Sequence, residues 1–229
     1  MKKSLQNKTA VTIFFCIAAT IAGCEKDVWD IDDLGIPKFV ESDYIQLDGI
    51  YRISKFRSSE GHDYSDDFEQ CRSMKHYFEP YSTTNWSSIK IYSPVSGVIK
   101  EVVSEWAGYQ VIILSDEYPA FEFIIFHMNL LPGFKTGTKV ASGEQIGNHT
   151  GNQTMSDIAV KVRVTSKKIK FVSYFDTVTD DVFILYQNRG VISRAILIIP
   201  KTERDSDPLS CEGEKFINRG SLANWVYLF

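Results

Sequence analysis

Short apolar runs separated by turn residues dominate the chain. The clearest are residues 98–103, 111–114, 123–126 and 196–199, which are rich in β-branched and aromatic side chains. Runs of this kind, bounded by Gly, Pro, Asn or Asp, are typical of β-strands. The pattern predicts a mainly β protein, with an antiparallel sheet or sandwich and a few short helices.

One run, residues 157–164, alternates strictly between apolar and other side chains. Because successive side chains of a strand point to opposite faces, two sets separate. One face carries Ile158, Val160, Val162 and Val164, and the other carries Asp157, Ala159, Lys161 and Arg163. The first face is predicted to belong to the core.

A helix is predicted over residues 180–187. Thr179 is placed to cap its first turn, and Gly190 follows its end, which is the usual asymmetry of helix ends. Further along, Trp225, Tyr227 and Phe229 alternate as on a strand. Aromatic residues on strands are mostly core residues, so we expect a paired, buried strand there; an aromatic binding surface is the alternative.

The first residues have the form of a lipoprotein signal. Lys2, Lys3 and Lys8 precede an apolar segment over residues 10–22, which runs into Ile21-Ala22-Gly23-Cys24. This segment is short for a membrane span of ~20 residues, so a cleaved signal peptide over residues 1–23 is favoured over a transmembrane anchor. Cys24 is then the lipidated N-terminus, and the mature protein is anchored to a membrane through its lipid.

Residues 24–45 are rich in Asp and contain Gly35 and Pro37, so they are predicted to form a tether. Loss of the three signal lysines changes the formal charge from −4 to −7. An acidic chain without clustered Lys and Arg is not expected to bind nucleic acid.

Two cysteines remain after the signal and the lipidation site are assigned. In an exported protein, Cys71 and Cys211 are predicted to form a disulfide. The loop that it closes is long enough to contribute a few kcal/mol to stability in the chain-entropy model. Two buried free thiols are the alternative.

Several segments in order resemble the lysostaphin/LytM zinc peptidases, which cut peptidoglycan. They are Ile91-Tyr92-Ser93-Pro94-Val95-Ser96-Gly97-Val98-Ile99, Phe126-His127-Met128-Asn129, the run from Gly137 to Gly147, and Gly151-Asn152. Each is weak alone, but their order and spacing agree with the family. The resemblance implies a LytM-type β domain over residues 46–165, followed by an extension over residues 166–229 that packs on it.

The metal-binding residues of that family are replaced here. Where the family carries His-Leu-His, this chain has Asp157-Ile158-Ala159, and the family's H-x-x-x-D aligns with Lys75 and Glu79. Ala159 has no donor atom, and a protonated lysine has no lone pair for a metal. Since a catalytic zinc takes three protein ligands plus water, the resemblance implies that zinc has been lost and that no metal site remains.

The replacements suggest a cluster of opposite charges. Lys75, Glu79, Asp157 and Lys161 are predicted to form ion pairs in which an ammonium group occupies the former metal position. Four separate, solvated side chains are the alternative.

The histidines leave further interpretations open. His127 matches a histidine that stabilises the oxyanion in active relatives, but without a metal a structural role is favoured. A one-residue slip would put His76 in place of Lys75, although alternation turns it to the other face. A rebuilt metal site from His62, His127, Asp63 and Glu79 is a further alternative.

The sequence thus predicts a lipid-anchored, non-catalytic relative of peptidoglycan endopeptidases in the bacterial envelope. The outer membrane is the expected location, on its periplasmic or surface face. Peptidoglycan or a cell-wall amidase is the expected partner. The alternatives are an active metal-dependent peptidoglycan hydrolase with altered ligands and a structural lipoprotein of a surface assembly.

Overall fold

A computed structural model describes residues 27–229. The strands are β1 Ile50–Ser54, β2 His76–Pro80, β3 Lys90–Tyr92, β4 Gly97–Ser104, β5 Tyr109–Ser115, β6 Phe121–Leu130, β7 Lys139–Val140, β8 Gln145–His149, β9 Ser156–Arg163, β10 Ile169–Val172, β11 Cys211–Glu212, β12 Lys215–Phe216 and β13 Trp225–Tyr227. The α-helices are α1 Ile31–Leu34, α2 Tyr174–Thr177, α3 Asp180–Gln187 and α4 Lys201–Ser206, and the 3-10 helices span Leu47–Gly49, Trp86–Ser88 and Arg194–Leu197.

Within this part of the chain, eleven strands form one antiparallel sheet. Eight of them follow one another in the order β13-β1-β2-β9-β6-β5-β4-β7. In addition, β10 pairs with β9, and β8 pairs with both β3 and β6. A small hairpin, β11-β12, stands apart. The predicted fold class, mainly β and antiparallel with a few short helices, is confirmed.

The alternation of residues 157–164 places β9 as predicted. Ile158, Val160 and Val162 are fully buried in the main core, with Val164 at its edge. The opposite face is also covered at its start, where Asp157 and Ala159 are buried. A second apolar cluster lies on this face and includes Phe56, Met74, Ile112, Ile124, Phe126, Ala159 and Phe171.

Three of the four predicted apolar strands are confirmed as parts of β4, β5 and β6. The fourth, residues 196–199, is wrong, because Arg194–Leu197 is a 3-10 helix. Leu197 and Ile199 are buried, and their backbones join Phe56 at a single isolated bridge rather than in a strand ladder. The helix α3 is confirmed, and the Thr179 side chain accepts a hydrogen bond from the Val182 N–H.

The domain boundaries need two corrections. The end of the predicted tether, residues 24–45, belongs to the core, since Phe39, Val40, Tyr44 and Ile45 are buried. Residues 166–229 do not only pack on the domain, because they supply β10 and β13 to its sheet. The signal peptide and Cys24 lie outside the described residues, and none of the helices in residues 27–229 has the length and apolarity to cross a membrane.

The last strand is paired with β1, as expected, but its aromatic residues are not core. Tyr227 is 50% exposed and Phe229 is 83% exposed, whereas Leu228 is buried. The Arg52 guanidinium lies 4.1 Å from the centre of the Trp225 ring. Trp225 and Tyr227 therefore stack with the Arg52 cation, while Val226 and Leu228 pack towards the core.

The predicted disulfide between Cys71 and Cys211 is present, with their Cα atoms 5.6 Å apart. It joins the long connection between β1 and β2 to the β11-β12 hairpin. Cys71 has a positive φ of 55°, so the disulfide holds a backbone conformation that is uncommon for this residue type.

Two buried histidines make the stability of the protein depend on pH. Burial lowers the pKa of His76 to about 4. The pKa of His149 is also lowered to about 4, mainly by burial and to a lesser extent by the nearby charge of His127. His76 Nδ1 lies 2.8 Å from the Ser54 carbonyl oxygen and Nε2 lies 2.8 Å from Ser173 Oγ. His149 Nδ1 accepts a hydrogen bond from the Gly151 N–H. Both rings are therefore held neutral.

We expect the free energy of unfolding to fall as the pH drops from about 6.5 towards 4. In this window the unfolded chain binds protons at both histidines and the folded chain does not. The free energy of unfolding therefore falls by ~1.4 kcal/mol per pH unit for each proton that the unfolded chain binds in excess. Asp43 opposes them, because burial raises its pKa to about 6 and its protonation favours the folded state on acidification. Asp176 acts in the same direction as Asp43, since burial raises its pKa as well, but by less, so the two histidines still dominate the slope.

Urea unfolding at several pH values measures this slope. His149→Asn is the matched variant, and its stability should vary less steeply than that of the wild type over the same range. Equal or greater wild-type stability at pH 4.5 than at pH 7.5 would contradict the prediction.

Candidate functional site

The candidate site lies where β2 meets β9. Tyr77 pairs with Asp157 across the two strands, and Lys75 precedes β2. The Lys75 Nζ atom lies 2.5 Å from Asp157 Oδ2, and the two side chains are only 2% and 0% exposed. Pairs this deeply buried lose the solvation of both charges, so the surroundings decide whether the pair is stable.

Aromatic rings enclose the ammonium group. Its Nζ atom lies 4.1 Å from the ring centre of Phe126, 4.8 Å from Tyr64 and 5.0 Å from Tyr77. Ring faces attract a cation electrostatically, and more strongly when water is excluded. Burial raises the pKa of both tyrosines, and the Asp157 charge adds to this, so the phenols stay protonated.

His62 covers the outer side of the ammonium group. Its Nε2 atom lies 3.3 Å from Lys75 Nζ, and its Nδ1 atom lies 2.9 Å from the Asp63 carbonyl oxygen. A carbonyl only accepts, so Nδ1 carries the proton and Nε2 presents its lone pair to Lys75. With its side chain 41% exposed, His62 connects the buried amine to solvent.

His127 lies between two carboxylates on the other side of the pair. Its Nε2 atom is 3.6 Å from Asp157 Oδ1, and its Nδ1 atom is 3.2 Å from Glu105 Oε2. The neighbouring Trp106 ring is centred 5.6 Å away and is 73% exposed. His127 thus joins the buried pair to an exposed aromatic residue on the β4-β5 hairpin.

Backbone strain concentrates around this site. Among residues 27–229, the non-glycine residues with positive φ are Arg57, Cys71 and His127. Arg57 and Cys71 lie near the two ends of the segment that carries His62 and Tyr64, and His127 lies beside the buried pair. Such conformations cost on the order of 1 kcal/mol or more and persist where the surrounding structure holds them.

The predicted four-residue charge cluster is wrong in two of its members. Glu79 pairs with Arg52, its neighbour on β1. Lys161 pairs with Glu122, its neighbour on β6, at 2.6 Å. Both side chains lie further along their strands than the buried pair, so a cross-strand partner is closer than Lys75 or Asp157.

The structure also decides the two alternatives for the histidines, which were a one-residue slip to His76 and a rebuilt metal site. His76 faces away from Lys75 and makes its two hydrogen bonds elsewhere, so a one-residue slip does not bring it to the site. In the rebuilt-site alternative, Asp63 accepts hydrogen bonds from Ser65 and the Arg72 N–H, and Glu79 is held by Arg52. Within the described residues, no three or more His, Cys, Asp and Glu side chains are grouped to hold a metal.

The residues at the site do not fit a catalytic zinc. Ala159 is buried without a donor atom, and the Lys75 ammonium takes the Asp157 oxygen that a metal would need. A cation is repelled by a neighbouring ammonium.

Three contributors were not identified from the sequence: Tyr64, Glu105 and Trp106. They lie in connecting segments far along the chain from Asp157. The sequence gives one signal for them: an aromatic residue stands next to a carboxylate or close to a histidine, as in His62-Asp63-Tyr64 and Glu105-Trp106. Only the folded sheet brings these segments together.

Comparison with known proteins gives a partial structural likeness. No protein-family model matches the chain, and no curated protein matches it. A proposed glycyl-glycine endopeptidase LytM from Ruminococcus gnavus aligns at 11% identity and a TM-score of 0.36, over 44% of this chain and 43% of that one. Pseudoalterin, a deep-sea M23 metalloprotease, aligns at 16% identity and a TM-score of 0.34, over 58% of this chain and 74% of that one.

Proposed function

We propose that this protein is a lipid-anchored, non-catalytic binding protein of the bacterial envelope, related to peptidoglycan endopeptidases and directed to the cell wall. The observation that carries the proposal is the Lys75–Asp157 pair, buried at the position where the sequence motifs of LytM peptidases require metal ligands. An amine there excludes the metal-activated water that serves as the nucleophile in metal-dependent hydrolysis of an amide.

The surface next to the site supports binding without cleavage. Trp106 is exposed beside His127, and an exposed aromatic ring offers apolar area at a low cost in conformational entropy. Glycan and peptide segments of peptidoglycan both have faces that pack on such a ring. The lipid anchor on Cys24 is the part of the proposal that rests on the signal sequence alone.

Metal content and hydrolysis test the absence of catalysis. The purified full chain, supplied with Zn²⁺ and then dialysed, should hold far less than one zinc per chain and should release no muropeptide fragments from sacculi. Stoichiometric zinc, together with cleavage that a chelator abolishes, would overturn the proposal in favour of an active hydrolase.

Co-sedimentation with purified sacculi tests binding. Trp106→Ala should weaken binding several-fold, since the few interface residues whose truncation costs more than about 1 kcal/mol are enriched in Trp. Ile192→Ala is the matched control, because Ile192 is an equally exposed apolar residue at 80% that lies outside the site, and it should bind like the wild type. Wild-type binding no stronger than that of an unrelated lipoprotein would contradict wall binding and favour a structural role in a surface assembly.

A further inference from the structure

The Lys75–Asp157 pair is costly as two charges. As a first step, transfer of one proton from the ammonium to the carboxylate would leave a neutral amine beside a neutral acid and would remove the cost of burying two charges. A neutral amine is a nucleophile, and a carboxylic acid is an electrophile. The enclosure therefore holds two groups that are able to react with each other.

We propose that Lys75 and Asp157 are joined by an intramolecular amide bond that cross-links β2 to β9. This covalent modification goes beyond the binding function and does not depend on whether the protein binds the cell wall.

The geometry supports the reaction. Lys75 Nζ lies 2.5 Å from Asp157 Oδ2, so its nitrogen is within reach of the carboxyl carbon. Both Asp157 oxygens are buried without a hydrogen bond of normal geometry. No backbone N–H or hydroxyl in the described chain holds the carboxylate in its ionised form, so it is free to accept the proton and be attacked.

The step balances without a co-reactant. The Lys75 Nζ lone pair attacks Asp157 Cγ and forms the C–N bond. The amine loses its proton and the tetrahedral carbon expels its hydroxyl group, so that one water molecule leaves and a neutral secondary amide remains. No oxidation, reduction or activated group is involved.

Two histidines are placed to move the protons. His62 Nε2 presents its lone pair 3.3 Å from the attacking nitrogen and reaches solvent through its exposed edge, so it accepts the amine proton. His127 Nε2 lies 3.6 Å from Asp157 Oδ1 and, when protonated, stabilises the oxygen that gains negative charge. Glu105 lies on the far side of His127, with its Oε2 atom 3.2 Å from Nδ1.

The enclosure also makes the reaction favourable. Two groups held in contact on paired strands react with effective molarities of roughly 10⁵ M or more. The three aromatic rings leave little space for water at the pair, so the water that is released is not replaced and hydrolysis of the amide is hindered.

A second pair in the same sheet serves as an internal control. Lys161 Nζ lies 2.6 Å from Glu122 on neighbouring strands, but its side chain is 25% exposed. Lys100 and Arg163 also contact Glu122. Burial acts to raise the pKa of Glu122, but the hydrogen bonds and charges of Lys100 and Lys161 outweigh it and hold this pKa below its usual value, so the carboxylate stays ionised. This pair is expected to stay unlinked.

Mass spectrometry of the purified full chain tests the cross-link. After reduction and alkylation, the mass difference between the wild type and Lys75→Arg should depart from the calculated value by one water molecule, because arginine keeps the charge but is a poor nucleophile. Comparison of the two proteins cancels the lipid and any water lost at Asp48-Gly49.

Trypsin peptides then locate the bond. The wild type should give residues 73–90 linked to residues 140–161, with no cleavage after Lys75, while Lys161 is cleaved normally. Asp157→Ala and Lys75→Arg should give only the separate peptides. Quantitative recovery of separate peptides from the wild type, with cleavage after Lys75, would overturn the proposal.

His62→Gln tests the proton acceptor. Glutamine accepts a hydrogen bond but does not take up a proton, so pulse-labelled protein should form the linked peptide at least several-fold more slowly than the wild type. An unchanged rate would overturn the role given to His62.

Discussion

Replacing Lys75 by Met should lower the free energy of unfolding by roughly 3–5 kcal/mol, because it leaves the buried Asp157 carboxylate without a partner and also removes the proposed amide bond between β2 and β9. Asp157 is fully buried and would lose its only cation at bonding distance in the described chain. Replacing Asp157 by Leu should also destabilise the protein, because it leaves the Lys75 ammonium without a carboxylate partner inside the aromatic enclosure.

The double variant Lys75→Met/Asp157→Leu tests the interpretation. It should be more stable than either single variant, since two apolar side chains fill the space without an uncompensated charge. Urea unfolding at pH 7 measures all three proteins against the wild type. A double variant that loses the sum of both single effects would contradict the assignment of the pair as a mutually dependent unit.

Removing the disulfide is the second large effect. Cys71 and Cys211 are separated by 140 residues, and in the chain-entropy model a closed loop of this length stabilises the folded state by about 5 kcal/mol. Cys71→Ser/Cys211→Ser should therefore lower the free energy of unfolding by several kcal/mol.

The disulfide also holds the segment that covers the site. The covering segment is tied down at Glu69, which binds the guanidinium groups of Arg57 and Arg72, so it should loosen rather than detach. Hydrogen exchange of residues 60–72 should speed up in the double serine variant more than exchange in β9. Uniform acceleration over the whole sheet would contradict a local role of the disulfide. The matched control is the wild type in its oxidised form at the same pH.

The sequence determined the strand that carries the site. Alternation over residues 157–164 has one physical outcome in a half-buried strand, so the core face of β9 followed from the residues alone. The cap of α3 and the pairing of Cys71 with Cys211 followed in the same way, because few residue types serve either purpose.

The sequence did not determine which charged side chains form ion pairs with one another. Lys75, Glu79, Asp157 and Lys161 have suitable signs and spacing, but cross-strand register sent Glu79 to Arg52 and Lys161 to Glu122. Register is a property of the assembled sheet, since it depends on which strands become neighbours.

The enclosure was decided by the tertiary structure alone. Tyr64 and His62 come from an irregular connection, and Phe126 and His127 from β6, yet all four surround the Lys75–Asp157 pair. A residue pattern reports which side of one strand is apolar, whereas the dryness of a site depends on every segment that packs over it. The sequence by itself thus predicted that Lys75 and Asp157 belong to one site, and only the fold decided that they meet in a closed aromatic enclosure.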